Sequence, residues 1–60
     1  MNITEFLNKL IDDKVEITLT SEKKLIGKLL AYDSNLNLIV QEEKETKPLL
    51  IRGSNLLSIK

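Results

Sequence analysis

The spacing of apolar side chains changes once along this chain, between Ile11 and Val15, and the change constrains what can follow. Before it, Ile3, Phe6, Leu7, Leu10 and Ile11 recur at intervals of three and four residues, the single apolar stripe of an amphipathic helix. After it, Val15, Ile17 and Leu19 alternate with Glu16, Thr18 and Thr20, as in a strand buried on one face. The first segment predicts a helix over about residues 3–12. Asn2 stands as its N-cap, with Glu5 three residues on, as in a capping box. Asp12 and Asp13 oppose the dipole at a helix C-terminus and so mark its end. At about ten residues, such a helix is too short to hold alone and must pack on the strands behind it.

Period-two segments and turn signals then alternate to the end. Ser21-Glu22-Lys23-Lys24 reads as a tight turn, and Leu25 to Tyr32 as a second strand. Gly27 lies inside that strand, where glycine marks a bend or a close backbone approach. Asp33-Ser34-Asn35 is a loop signal. Leu36 to Glu43 is a third strand, with Leu36, Leu38 and Val40 on one face. Lys44 to Pro48 is a polar turn, Leu49 to Arg52 a fourth strand, Gly53-Ser54-Asn55 a further turn, and Leu56 to Ile59 a fifth strand. A mostly β fold is predicted: one short N-terminal helix, then five short antiparallel strands closing a small barrel over a single domain, residues 1–60.

The last two strands are apolar on both faces, through Leu49, Leu50 and Ile51 and through Leu56, Leu57 and Ile59. Sixty residues cannot cover both faces, and an uncovered strand edge invites pairing with another chain. A domain of this size buries only about 60% of its unfolded surface and needs outside support. There is no cysteine for disulfides and no histidine for a zinc site, so partner chains are the expected support. Head-to-tail pairing of identical copies removes the edges when the ring closes.

Function is bounded by what the side chains can do. Nine basic residues balance nine acidic ones, so nucleic acid could be held only by local groups, not by bulk charge. Without cysteine or histidine the usual nucleophilic triads and zinc hydrolases are excluded, and two glycines make no phosphate-binding loop. No enzyme, no cofactor and no metal site is expected. No apolar run approaches the roughly 18 residues of a membrane span. The segment MNITEFLNKL has neither a basic start nor a small-residue cleavage site, so a cytoplasmic location is expected.

Two segments carry a resemblance. Gly27-Lys28-Leu29-Leu30-Ala31-Tyr32-Asp33-Ser34-Asn35-Leu36-Asn37-Leu38-Ile39-Val40 has a glycine, an aromatic-Asp pair and an apolar-Asn-apolar run. Ile51-Arg52-Gly53-Ser54-Asn55-Leu56 has the form Ile-Arg-Gly-any-Asn. In order, behind a helix, they resemble the two motifs of the Sm and Sm-like (LSm) proteins. The first motif would span about residues 15–43 and the second about 49–60. The Arg-Gly form is similar to the archaeal and eukaryotic branches.

The resemblance implies a strongly bent five-stranded Sm-fold (SH3-like) barrel. It implies a ring, commonly of seven subunits and sometimes six, with single-stranded uridine-rich RNA bound around the pore. Carried over by position, a base would lie between Asn35 and Arg52, Asn37 would bond the uracil edge, Asp33 would hold Asn37, and Gly53 would let the backbone approach. The roles implied are RNA processing, chaperoning or ribonucleoprotein assembly. Many family members place an aromatic where this chain has Asn35, and Ser54 replaces an acid common in archaeal members. An alternative is a ring scaffold that binds proteins through a degenerate RNA pocket.

The chemistry is consistent with such a site. An asparagine amide carries both donor and acceptor, matching uracil's N3–H and carbonyls. Arg52 is the single arginine against eight lysines, and its planar guanidinium can stack on a base where an ammonium cannot. Asp33, Ser34 and Asn35 also suit a plain turn. Asn37 within an apolar strand is costly unless bonded. Tyr32 is expected in the core or an interface. A peptide-binding barrel would need exposed aromatics, and the chain has only Phe6 and Tyr32.

Overall fold

The computed structural model describes residues 2–60. The predicted helix α1 forms over Ile3–Leu10. Asn2 caps it: its Oδ1 accepts from the Glu5 backbone N–H at 2.9 Å and from the Thr4 hydroxyl at 2.7 Å. Only this asparagine half of the capping box forms among the described residues. The helix stops two residues before the expected end, because β2 claims the chain. Asp12 N–H donates to the Leu29 carbonyl at 2.8 Å, and Leu29 N–H donates to the Asp13 carbonyl at 3.1 Å. Asp12 turns through a left-handed conformation, φ 68°, which aspartate tolerates better than most residues.

Five strands follow: β1 (Lys14–Leu19), β2 (Lys24–Tyr32), β3 (Leu38–Glu42), β4 (Leu49–Ile51) and β5 (Leu56–Ile59). They form one antiparallel sheet in the order β4-β3-β2-β1-β5. Register slips at Leu29/Ala31 between β2 and β3 and at Thr18/Leu19 between β1 and β5 bend it. Gly27 sits in the bend for want of room. A Cβ there would lie 2.6 Å from the Gln41 carbonyl oxygen and 2.9 Å from Val40 Cγ1.

The bend wraps one apolar face around a core of Leu7, Val15, Ile17, Leu25, Leu29, Leu38, Val40 and Ile51. Fully burying a side chain of this kind contributes about 1.5–3 kcal/mol. Phe6, Leu10, Ile11 and Tyr32 pack around the core, and Tyr32 Oη donates to the Thr4 carbonyl at 3.1 Å, tying helix to sheet. Ile3, assigned to the apolar stripe, stays half-exposed.

The sheet is bent but leaves two edges. β4 and β5 are neighbours in sequence, joined by a single 3₁₀ turn (Gly53–Asn55), yet they lie at opposite ends of the strand order. Leu49 and Leu50 on one edge and Leu57 on the other are 40%, 57% and 62% exposed. These are the uncovered apolar side chains that the sequence places in the last two strands.

Candidate nucleic-acid interface

β2 ends at Tyr32, and the chain must reverse before β3. Asp33 organises that reversal. Its Oδ1 accepts from the backbone N–H groups of Asn35 at 2.8 Å and Asn37 at 3.0 Å. Its Oδ2 accepts from the Asn37 side-chain Nδ2 at 2.9 Å. The Asn37 side-chain bond, then the Asn37 and Asn35 backbone N–H groups, hold the Asp33 carboxyl below the usual carboxylate range, against a smaller opposing effect of desolvation. Leu36 completes the loop with φ 63°, a left-handed conformation that is unusual for leucine. This is why β3 begins at Leu38 rather than at Leu36 as predicted. Leu36 still packs against the core, but from the loop.

The pairing of Leu38 with Ile51 sets Asn37 beside the residues that follow β4. Gly53 N–H donates to Asn37 Oδ1 at 2.8 Å. The two loops touch through backbone as well. A Cβ on Gly53 would lie 2.1 Å from the Asn35 carbonyl oxygen and 3.1 Å from the Leu36 carbonyl carbon. Gly53 is therefore glycine for space, not for a positive φ, which neither glycine adopts.

These bonds fix the Asn37 amide without ambiguity. The Asp33 carboxylate only accepts and Gly53 N–H only donates, so nitrogen must face Asp33 and oxygen must face Gly53. An amide has two donor hydrogens and two lone pairs. One of each is used, so one N–H and one lone pair remain, on a half-buried side chain. Asn35 and Arg52 are exposed beside it. Asn35 is clamped by its backbone, while the bonds of the described residues leave its amide open. The single ion pair among the described residues is Lys14–Glu43, so Arg52 is not held by an acid there.

The structure thus brings Asp33, Asn35, Asn37 and Gly53 together in one bonded cluster, with Arg52 adjoining through the chain. The link from Asn37 to Gly53 is the feature that sequence reasoning missed. Leu36 is a second, since nothing in a leucine announces a left-handed turn. Among the described residues, no group of three or more acids could hold a metal ion. No helix there is long and apolar enough to cross a membrane.

The LSM domain family model matches residues 5–60. This chain belongs to the LSm family. LSm proteins are non-catalytic RNA-binding proteins, so the chain is not an enzyme. The crystal structure of the SmAP (LSm) protein from Methanococcus vannielii is similar at 32% identity, with a TM-score of 0.82, over 98% of this chain and 97% of that one. The Sm protein of Pyrococcus abyssii, solved in complex with a uridine heptamer, is similar at 25% identity, with a TM-score of 0.81, over 98% and 96%. No match was found among curated proteins. The helix followed by five antiparallel strands in a bent sheet is the Sm fold, as the two motifs implied.

Proposed function

We propose that this LSm chain is a single Sm-like domain that assembles with identical copies into a ring, of seven subunits or else six, and binds single-stranded uridine-rich RNA around the pore. Asp33, Asn35, Asn37, Arg52 and Gly53 form the binding site on each subunit. The observation that carries this reading is the anchored Asn37 amide. Its spare N–H and lone pair complement a carbonyl and the N3–H of uracil, and its anchors are already made before any base arrives. Arg52 supplies a flat cation for the base to stack against. The uridine heptamer on the Pyrococcus abyssii relative supports the same ligand class. RNA processing, chaperoning or ribonucleoprotein assembly in the cytoplasm would follow from it.

The ring is supported by the two apolar edges. β4 presents Leu49 and Leu50 and β5 presents Leu57, and head-to-tail pairing of β4 on one copy with β5 on the next would cover all three. Light scattering at micromolar concentration should give a mass of six or seven times 6.8 kDa. A stable monomer would remove the ring and the pore with it.

Base reading is tested with oligomers. A uridine heptamer is expected to bind about tenfold or more tighter than an adenosine heptamer, several weak sites on one rigid body adding up to avidity. Base–aromatic stacking is worth about 1–3 kcal/mol per base, and with the Arg52 guanidinium in the ring's place Arg52→Ala should weaken uridine-heptamer binding about tenfold or more. Equal binding of both oligomers by the native protein would favour the scaffold alternative, to which the short, poorly stacking Asn35 side chain already lends weight.

A further inference from the structure

The chain is neutral overall, yet its charges are not evenly spread. On the outward face of β1, β2 and β5 the pairing register defines three rows. Lys14 faces Lys28, Ile26 and Lys60 flank Glu16, and Lys24 and Ser58 flank Thr18. The opposite face of the same strands carries Val15, Ile17, Leu25 and Leu29 and is buried. Four lysines therefore share one exposed sheet face with the half-buried acid Glu16, and Asp12, Glu42, Glu43 and Glu45 line the surface beside Lys14 and Lys28. Lys14 is within 3.2 Å of Glu43, and both ends of that pair are largely in water. The other three lysines have no ion pair among the described residues.

The ion pair on this face, Lys14–Glu43, lies largely in water and adds little to the fold. Like charges directly opposite on neighbouring antiparallel strands repel, and Lys14 stands opposite Lys28. At the centre of the block Ile26 is 50% exposed, on a strand whose alternate residues are buried. Ammonium groups and hydroxyls are the side chains that hold phosphate oxygens, and an apolar side chain among them offers contact to a ribose or base. Two-residue steps along a strand span about 6.8 Å and adjacent strands lie about 4.8 Å apart, so the lysines are spread over a strip rather than gathered in a socket.

We propose that this outward face of β1, β2 and β5 is a second RNA contact surface, on which Lys14, Lys24, Lys28 and Lys60 hold the phosphodiester backbone of a strand too long for the pore site alone. The choice of RNA as the polyanion rests on the function proposed above; the surface itself does not involve Asn37 or Arg52.

The test compares a uridine heptamer with a strand of 30 nucleotides ending in the same seven uridines, on the full chain. Lys24→Glu/Lys28→Glu is expected to leave heptamer affinity within about twofold and to weaken the 30-nucleotide strand about tenfold near 0.1 M salt, with the salt slope reduced by about 1.4 for two lost phosphate contacts. The carboxylate introduced by Lys28→Glu would face Lys14 but also stand near Glu42 and Glu43, so the melting temperature of the variant checks that its strand pairing is kept. Lys44→Glu/Lys47→Glu makes the same change of net charge on the β3–β4 turn and should leave both RNAs bound as before. Equal binding of the long strand by native and Lys24→Glu/Lys28→Glu proteins overturns the proposal, as does an equal loss in the turn variant; an acidic protein as the true occupant would give the first of these results. If the native protein ignores the heptamer but the long strand still depends on Lys24 and Lys28, the pore reading falls and this one stands.

Discussion

Gly53→Ala is expected to weaken uridine-heptamer binding by more than tenfold and to cost about 1–3 kcal/mol of stability, the range for forcing an extra carbon into a filled space. The added Cβ would meet the Asn35 carbonyl oxygen at 2.1 Å and the Leu36 carbonyl carbon at 3.1 Å. Both obstacles are backbone, so no side chain can swing away to make room. The loops must part, and the 2.8 Å bond from Gly53 N–H to Asn37 Oδ1 is the first to lengthen. Asn37 would then keep its hold on Asp33 and lose its fixed direction. Urea unfolding and fluorescence anisotropy on the heptamer measure the two effects. A folded variant that binds as tightly as the native protein would show that the contact between the loops does not shape the site.

Asn37→Asp separates the two jobs of the amide and should reverse the site's response to pH. The replacement keeps an oxygen for Gly53 N–H but sets a second carboxylate against Asp33, where a donor now stands at 2.9 Å. In the native protein the Asp33 carboxyl titrates below its ordinary value of 3.8, chiefly through the Asn37 side chain. Its hold on the loop is therefore complete above that ordinary value and is lost as pH falls through the lower, folded one. Native heptamer binding should be flat from about pH 5 to 8. In the variant two carboxylates so close cannot both ionise freely, and the pair titrates with one raised apparent value. The loop is then best held while the pair keeps a proton, and it loosens as pH rises through that raised value. Binding at pH 7 should fall more than tenfold and recover in part towards pH 5. A variant with a flat profile over that range would mean that Asp33 does not act on Asn37 as a hydrogen-bond acceptor.

Periodicity made the architecture legible, because one buried face imposes it. Val15, Ile17, Leu38 and Val40 fall where alternation puts them, and Leu7 where the helical stripe does, whereas Leu25, Leu29 and Ile51 have apolar neighbours in sequence and only the fold shows that they face inward. The failures lie where specific hydrogen bonds and the extent of the sheet override the apolar pattern. The helix ends at Leu10 because Leu29 bonds both Asp12 and Asp13. The third strand starts late because Asp33 draws the Asn37 backbone and side chain into the loop. Ile3 fits the stripe but stays half-exposed. In the candidate site the hold of Asp33 on Asn37 and the close backbone approach at Gly53 are what the resemblance to the family's two motifs implied, not something the residues alone dictate. The bond that joins Asn37 to Gly53 spans 16 residues, and only the β3–β4 register reveals it. The lysine rows are equally hidden, since Lys14, Lys28 and Lys60 are scattered in sequence and become neighbours only through pairing.

The strand order also sets a sequence of events. Three of the four pairings, β1–β2, β2–β3 and β3–β4, join strands that follow one another, and each needs only a short loop to close. The fourth brings Leu56–Ile59 back to β1, across about two thirds of the chain, and contacts of that separation form slowly. One exposed edge, with Leu49 and Leu50, can thus exist while the other, with Leu57, does not. On the edge-to-edge pairing proposed above, a nascent subunit would hold one half of its joining surface early and gain the other only when its last strand docks. Assembly would then act as a timer on folding: a chain that has not finished cannot pass the growing end to the next.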